Sequence, residues 1–314
     1  MSAMASSKIS IGICVYNEEA NIGRLLHNLL RLQDLPEGTE ILVVCSGCTD
    51  SSPTIVRGFC KKDRRVKMLL EPERLGKSSA VNKILNEYTG DFLFLISADS
   101  IPHKGAVWKV LRGFDEDNVG IVGGSPTPIN EGKSANGVEA IAHLMWRLHN
   151  RTLELLSHDG VLTHACGEMF CMRRGIVSEV PLDVINDDKY ISLQADRRGY
   201  RVLFDSEAKV TIKVPSTISD LLNQRRRVTY GHYQLKKMLR CSPRTLDSMM
   251  IYDPKRVIRI FADFIQEDFK RIPILIPAII LELAANLAAL LDIAQGKNYT
   301  KWIIATTTKS LAQN

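Results

Sequence analysis

The sequence predicts an α/β fold with a mostly parallel, Rossmann-like central sheet flanked by helices, and three observations predict it. Short apolar runs rich in β-branched residues recur, each closed by a polar turn. Stretches with apolar residues at helical spacing separate them. One run, residues 92–96 (FLFLI), is apolar without alternation and too short for a buried helix, as a strand covered on both faces is.

Ile9–Val15 (ISIGICV) is the first strand and breaks at Tyr16-Asn17-Glu18-Glu19. Residues 21–32 follow with Ile22, Leu25, Leu26, Leu29 and Leu30 on one helical stripe. Residues 40–44 are the second strand, closed by Cys45-Ser46-Gly47-Cys48-Thr49-Asp50 and a helix over 54–62. Residues 66–70 are the third strand, after which Gly76-Lys77-Ser78-Ser79 leads into a helix over 80–88. The fourth strand, 90–96, delivers Ser97-Ala98-Asp99-Ser100. Beyond it come a strand-like run at 119–124, an amphipathic helix at 138–156 and a strand fed by the turn from His164. A helix ending at Arg198 before Gly199, a strand at 200–204 and a basic helix at 220–239 complete this part.

In a doubly wound sheet the turns after the strands collect along one edge, where such folds bind ligands. That edge would carry Asn17 and Glu18, the turn from Ser46 to Asp50, and Ser97 with Asp99, a rim of nucleotide size. Asp99, a carboxylate between hydroxyls at a strand end, suits a hard cation; read by itself it is more simply a cap of the next helix. Gly76-Lys77-Ser78 lacks the upstream glycine of a Walker motif, yet it sets an ammonium and helix N–H groups where a phosphate would bind. The plainer reading of Lys77 is a solvated lysine. Asp187-Asp188 either caps a helix or turns a general base toward the crevice. Gln224-Arg225-Arg226-Arg227 is either a solvated face or a guanidinium clamp on a diphosphate. His143 and His149, spaced by three from Trp146, read as helix surface or core packing before metal ligands.

With 314 residues the chain accommodates one large α/β domain and a smaller appendage. The net charge of +6 suits anionic ligands or an anionic membrane surface; no arginine-rich arm points to nucleic acid. Seven scattered cysteines, an odd number, argue against a disulfide framework. Cys45-x-x-Cys48 lacks the second pair a structural zinc requires. MSAMASSKIS has no apolar core of a signal peptide, so the expected location is cytoplasmic.

Taken in order, these pieces over 8–234 resemble the family-2 glycosyltransferases, whose fold is GT-A. Val15-Tyr16-Asn17-Glu18-Glu19 is similar to the loop after their first strand. Cys45-Ser46-Gly47-Cys48-Thr49-Asp50 stands where they carry an Asp-Asp-Gly-Ser-Thr-Asp loop on the base and ribose. The turn from Gly76 to Asn82 is similar to their Gly-Lys-x-x-Ala-x-Asn turn. Ser97-Ala98-Asp99 aligns with the Asp-x-Asp metal motif, Asp187-Asp188 with the Glu-Asp pair that carries the catalytic base, and Gln224-Arg225-Arg226-Arg227-Val228 with Gln-x-x-Arg-Trp.

The resemblance implies a nucleoside-diphosphate sugar held by Val15, Asn17, Glu18, Cys45, Ser46, Gly47, Asp50, Lys77, Ser97, Ala98, Asp99, Gln224, Arg225 and Arg227. It implies a divalent cation, Mg2+ or Mn2+, on Asp99, and Asp188 as the base that deprotonates an acceptor hydroxyl with inversion at the sugar. His164, Gly167, Glu168 and Asp187 would face the acceptor. The donor half would be about 1–125, the acceptor half about 126–240, and 241–314 a helical, membrane-associating segment. Cys45, Ser46 and Ser97 stand where the family has carboxylates, and Val228 replaces a Trp linked with processive synthases, which implies transfer of a single sugar. Two alternatives remain at this point. A nucleotidyltransferase would show a glycine-rich loop where Tyr16-Asn17-Glu18-Glu19 stands, and a non-catalytic nucleotide-sugar binder would tolerate loss of Asp188.

Ile272–Ala294 is mostly apolar and long enough to span a bilayer. Glu282, Asn286, Asp292, Pro273 and Pro277 count against a lone span, since a central carboxylate costs about 3 kcal/mol on insertion scales. An interfacial helix, a weak or re-entrant span and a soluble packing or dimer helix are all open. Lys255, Arg256, Arg259, Lys270 and Arg271 precede it and suit an anionic cytoplasmic leaflet. The expectation is therefore membrane association, with a polyprenyl- or otherwise lipid-linked acceptor.

Overall fold

The apolar runs become strands of one twisted sheet. The computed structural model describes residues 7–33, 35–36, 38–129, 136–267, 269, 272–301 and 306–308. The strands are β1 (Ile9–Val15), β2 (Glu40–Ser46), β3 (Val66–Glu71), β4 (Phe92–Ser97), β5 (Ile101–Pro102), β6 (Val119–Pro128), β7 (Met169–Arg173) and β8 (Arg201–Ile212), in the order β3-β2-β1-β4-β7-β6-β8-β5. The first four are parallel, and their register brings Val15 beside Cys45 and Cys14 beside Ser97. Their carboxyl ends therefore share one rim.

The helices are α1 (Ile22–Leu32), α2 (Ser52–Lys62), α3 (Lys77–Glu87), α4 (Ala106–Arg112), α5 (Gly137–His158), α6 (Asp187–Arg197), α7 (Ile218–Leu239), α8 (Leu246–Tyr252), α9 (Pro254–Glu267) and α10 (Ile272–Ala294). Because successive strand side chains point to opposite faces, the sheet feeds two cores. Ile11, Ile13, Val43 and Phe94 pack with Leu25 and Leu26 of α1 and Val107 of α4. Leu42, Val44, Leu93 and Leu95 pack on the other face with Val81 and Ile84 of α3 and Ile191 of α6.

Three features depart from the expected elements. β7 runs antiparallel between β4 and β6, so the sheet is mixed. β8 continues to Ile212, well past the expected end, because a register shift lets it pair again with β6 and then with β5. The amphipathic helices α8 and α9 stand before the apolar segment.

α10 lies against α5 and α7. Ala278, Leu281, Ala285, Ala289 and Asp292 form its buried face, and the small alanines let the helices approach. Ile276, Ile280, Leu283, Leu287 and Leu291 on the rest of its surface are exposed. Among the described residues this is the one helix long and apolar enough to cross a membrane. Lys270 and Arg271, counted above as part of a basic stretch, lie outside the described residues, as do 1–6 of the N-terminus.

Candidate active site

A cavity of about 710 Å3 opens at the rim where β1, β2 and β4 end. Val15, Glu18, Ser46, Lys77, Ser97, Ala98 and Asp99 line it from the amino-terminal part of the chain. His164, Gly167, Glu168, Asp187, Asp188, Gln224, Arg225 and Arg227 line it from the remainder.

Four expected donor contacts do not line this cavity. Asn17 bonds Thr49 twice, donating to its Oγ1 at 3.0 Å and accepting from its amide at 2.8 Å. Asp50 accepts from the amides of Glu19 at 3.0 Å and Ser52 at 2.9 Å. These side chains join the loops after β1 and β2 and hold the wall from behind. Cys45 is buried at the end of β2. Gly47 makes the turn with φ of 58°, a left-handed conformation that favours glycine, and a Cβ there would overlap the Arg74 backbone. Tyr16 and Arg74 also line the cavity, with the Arg74 guanidinium 4.1 Å above the Tyr16 ring.

Asp99 sits where β4 ends, and its Oδ1 accepts from Ser97 Oγ at 2.7 Å. The hydroxyl orients Asp99. Glu168 lies close by, accepting from Ser100 Oγ at 3.0 Å through Oε2, while its carbonyl accepts from the Ser97 amide at 3.0 Å. Burial, reinforced by the Asp99 charge, pushes the Glu168 carboxyl up to about 7. Carboxylates gathered in a closed space suit a cation. Among the described residues no set of three or more His, Cys, Asp or Glu side chains is grouped as a metal cage. A divalent ion here would take Asp99 from the protein and complete its shell with diphosphate and water oxygens.

Asp187 and Asp188 open α6, where the helix dipole favours negative charge. Lys77 Nζ meets Asp187 Oδ1 at 3.0 Å, and the two charges brace each other on the cavity wall. Lys189 Nζ meets Asp188 Oδ2 at 2.8 Å. Burial would raise the Asp188 carboxyl, but Lys189 and Lys77 outweigh it and hold the group well below the usual carboxylate range. Gly167 is fitted against this carboxylate: a Cβ there would stand 3.1 Å from Asp188 Oδ2.

On α7, Arg225 lines the cavity, and its guanidinium is held by two hydrogen bonds to Glu282 of α10, at 2.8 and 2.7 Å. Its neighbour Arg226 pairs with Asp292 of the same helix. Arg227 alone of the three is turned toward Asp188, Asp187 and Glu168, whose charges oppose the lowering that burial causes. His149 of α5 and His232 of α7 join His164 on the cavity wall, so His149 belongs to the site as well as to the helix packing.

The glycosyl transferase family 2 model matches residues 10–180. The chain is 24% identical over 231 residues to the poly-beta-1,6-N-acetyl-D-glucosamine synthase of Staphylococcus aureus (strain COL), covering 72% of this chain and 55% of that protein. It is 27% identical over 244 residues to the probable glycosyltransferase YdaM of Bacillus subtilis, covering 74% and 57% respectively. The chain thus spans just over half the length of these relatives. The mannosyltransferase PcManGT from Pyrobaculum calidifontis, solved in complex with GDP-Man and Mn2+, superposes with a TM-score of 0.69 at 19% identity, over 93% of this chain and 88% of that one. TarS 1-349 of S. aureus, in complex with UDP-GlcNAc, gives a TM-score of 0.50 at 16% identity over 93% of each chain. The mixed sheet flanked by helices is that of a GT-A architecture, and with more than half of its length inside the family model the chain belongs to glycosyl transferase family 2.

Proposed function

We propose that this protein transfers a single sugar, a hexose, from a nucleoside-diphosphate sugar to an acceptor hydroxyl, with inversion and with help from Mg2+ or Mn2+. The observation that carries the reading is that Asp99 and Asp188 face one cavity, with Lys77 and Arg227 between the loops that supply them. The base and ribose lie against Val15, Tyr16, Ser46 and Arg74, and the diphosphate lies toward Lys77, Ser97 and Asp99. A divalent ion bound with the donor would stabilise charge developing on the departing diphosphate. Arg227 and Lys77 add fixed positive charge to the same region.

Asp188 takes the proton of the acceptor hydroxyl, which attacks from the side opposite the diphosphate. Its two lysine neighbours keep it ionised, the form a base needs, and they also lower its basicity. Release of Lys189 from the carboxylate as the acceptor binds restores that basicity. Val228 in place of a Trp supports transfer of one sugar over chain elongation. The exposed apolar surface of α10, with exposed Lys255 and Arg259 nearby, supports a location at the cytoplasmic face of a membrane and a lipid-linked acceptor.

The test is a thermal-shift panel of nucleotide sugars with and without Mn2+. A ligand at 100 times its Kd adds about 2.7 kcal/mol of stability. At least one nucleotide sugar is expected to raise Tm in a Mn2+-dependent way, and Asp99→Ala is expected to remove that dependence. A Mn2+ response that Asp99→Ala leaves unchanged would overturn the assignment.

A further inference from the structure

Cys45 stands near the end of β2, Cys48 follows the Ser46-Gly47 bend, and their side chains are hydrogen-bonded to each other. Gly47 makes the bend with φ of 58°. Cys45 is 1% exposed in the core behind the bend, while Cys48 is half-buried and reachable from solvent. Cys48 Sγ also donates to the Val15 carbonyl at 3.4 Å, so the pair ties the ends of β1 and β2 together. Neither sulfur lines the donor cavity, and the transfer reading uses neither.

The surroundings divide two roles between these thiols. The Cys45 thiol donates to the Cys48 sulfur, and the backbone amides of Asn17 and Ser46 donate to it as well. Together they outweigh burial and the Asp50 charge and bring the Cys48 thiol from 9.0 down to about 7. Cys48 therefore carries thiolate near neutral pH, the form that attacks a disulfide. The same contact, with burial, pushes Cys45 up, so it keeps its proton until the bond between them forms. Burial pushes all the other thiols up, Cys14 and Cys166 to about 12, and Cys60, Cys171 and Cys241 in the same direction. Of seven cysteines, one is activated, and it has a second sulfur beside it.

The bend is built into the donor wall. Ser46 lines the cavity. Gly47 lies so close to the next segment that a Cβ there would stand 2.3 Å from the Arg74 amide nitrogen, and Arg74 is stacked on Tyr16. Thr49 and Asp50, just beyond Cys48, carry the bonds to Asn17 and Glu19 that hold the loop after β1. A disulfide sets its sulfurs about 2.05 Å apart at a fixed dihedral. Closing one here takes Cys48 off the Val15 carbonyl and shifts a bend that has no spare room against Arg74.

We propose that Cys45 and Cys48 form a thiol–disulfide exchange site that takes a small aliphatic disulfide, and that its oxidation disorders the donor wall. The Cys48 thiolate attacks one sulfur of the small disulfide, forming a mixed disulfide and expelling one thiolate. Cys45 gives its proton to that thiolate and attacks the Cys48 sulfur, and the second small thiol leaves with a proton from solvent, which replaces the one Cys48 had released. The protein loses two electrons and two protons, and the small disulfide becomes two thiols. The effect on the donor rests on the transfer reading; the exchange itself does not.

The experiment treats the reduced full chain with oxidised glutathione, followed by peptide mass mapping and by titration with GDP and UDP in the presence of Mn2+. A Cys45–Cys48 link is expected to form at least 10-fold faster than any adduct at Cys60 or Cys241. Cys45→Ala is expected to stop at a stable glutathione adduct on Cys48, which a purely structural pair would not give. The linked form is expected to bind nucleotide at least 10-fold more weakly than the reduced form, with dithiothreitol restoring it. Cys48→Ser is expected to bind nucleotide as the reduced parent does and to ignore the oxidant. Adducts at Cys60 or Cys241 ahead of Cys48, or no Cys45–Cys48 link, would overturn the proposal. So would a linked form with the nucleotide affinity of the reduced chain. A reduced chain that binds neither nucleotide while the link forms selectively would fault the transfer reading alone and support the exchange site.

Discussion

Arg225 of α7 grips Glu282 of α10 through two hydrogen bonds, Nε to Oε2 at 2.8 Å and Nη2 to Oε1 at 2.7 Å. Planar two-point pairing of this kind fixes position as well as charge. It anchors the apolar helix to the helix that carries Arg227 and His232. Asp247 of α8 lies beside the pair, pushed up to about 6 by burial and by the Glu282 charge.

Glu282→Ala leaves the Arg225 guanidinium without its partner in a largely buried setting. The expected loss is about 2–3 kcal/mol in denaturant unfolding, with faster proteolysis around α10. A double change of Arg225 and Glu282 to Met and Leu should lose less than Glu282→Ala alone, because neither member of the pair is then left without the other.

Glu282 shows what the sequence conceals. Within an apolar segment its carboxylate reads as a cost to membrane insertion, and Arg225 in a basic run reads as a phosphate ligand. Each reading is local, and the pair is separated by 57 positions. The strands from β1 to β4 were legible because apolar runs and polar turns alternate at short range. Asp99, Glu168 and Asp188 were expected on one crevice, and all three line the cavity. The stack of Arg74 on Tyr16, the bracing of Asn17 and Asp50, and the meeting of His149 with His164 and His232 come from tertiary packing, which spacing along the chain does not encode.

Gly167→Ala tests how closely Asp188, the proposed base, is held. The added methyl would meet the Asp188 carboxylate at 3.1–3.2 Å, tighter than ordinary contact. Turnover is expected to fall at least 10-fold while far-UV circular dichroism and donor affinity stay near those of the parent.

Glu40 links β1, β3 and the turn before β4. Its carboxylate accepts from Ser10 Oγ at 2.7 Å, the Thr89 amide at 2.6 Å and Lys67 Nζ at 3.0 Å. Burial acts to raise this group, but the donors together outweigh it and bring it from 4.5 down to about 2. A lowered carboxylate stabilises the fold fully above its unfolded value and stops doing so as pH falls through the folded one. Glu40→Gln should therefore cost about 2–3 kcal/mol at pH 7. The gap between variant and parent should narrow as pH falls from about 4.5 toward 2, as read by thermal unfolding.

Leu287 and Leu291 are 62% and 53% exposed on the outer surface of α10. Leu287→Glu with Leu291→Glu is expected to lower co-flotation with anionic phospholipid vesicles at least 10-fold, since each buried leucine contributes about 1.5–3 kcal/mol. Folding stability should stay within about 0.5 kcal/mol of the parent.

The most direct test of the transfer reading is a single-turnover sugar-transfer assay comparing the parent with Asp188→Asn, run with the nucleotide sugar that gives the largest Mn2+-dependent Tm shift. The asparagine keeps the shape of Asp188 and cannot accept the proton. The chemical step is expected to slow by about 10²–10⁴-fold with donor affinity unchanged. A rate close to the parent's would contradict Asp188 as the base.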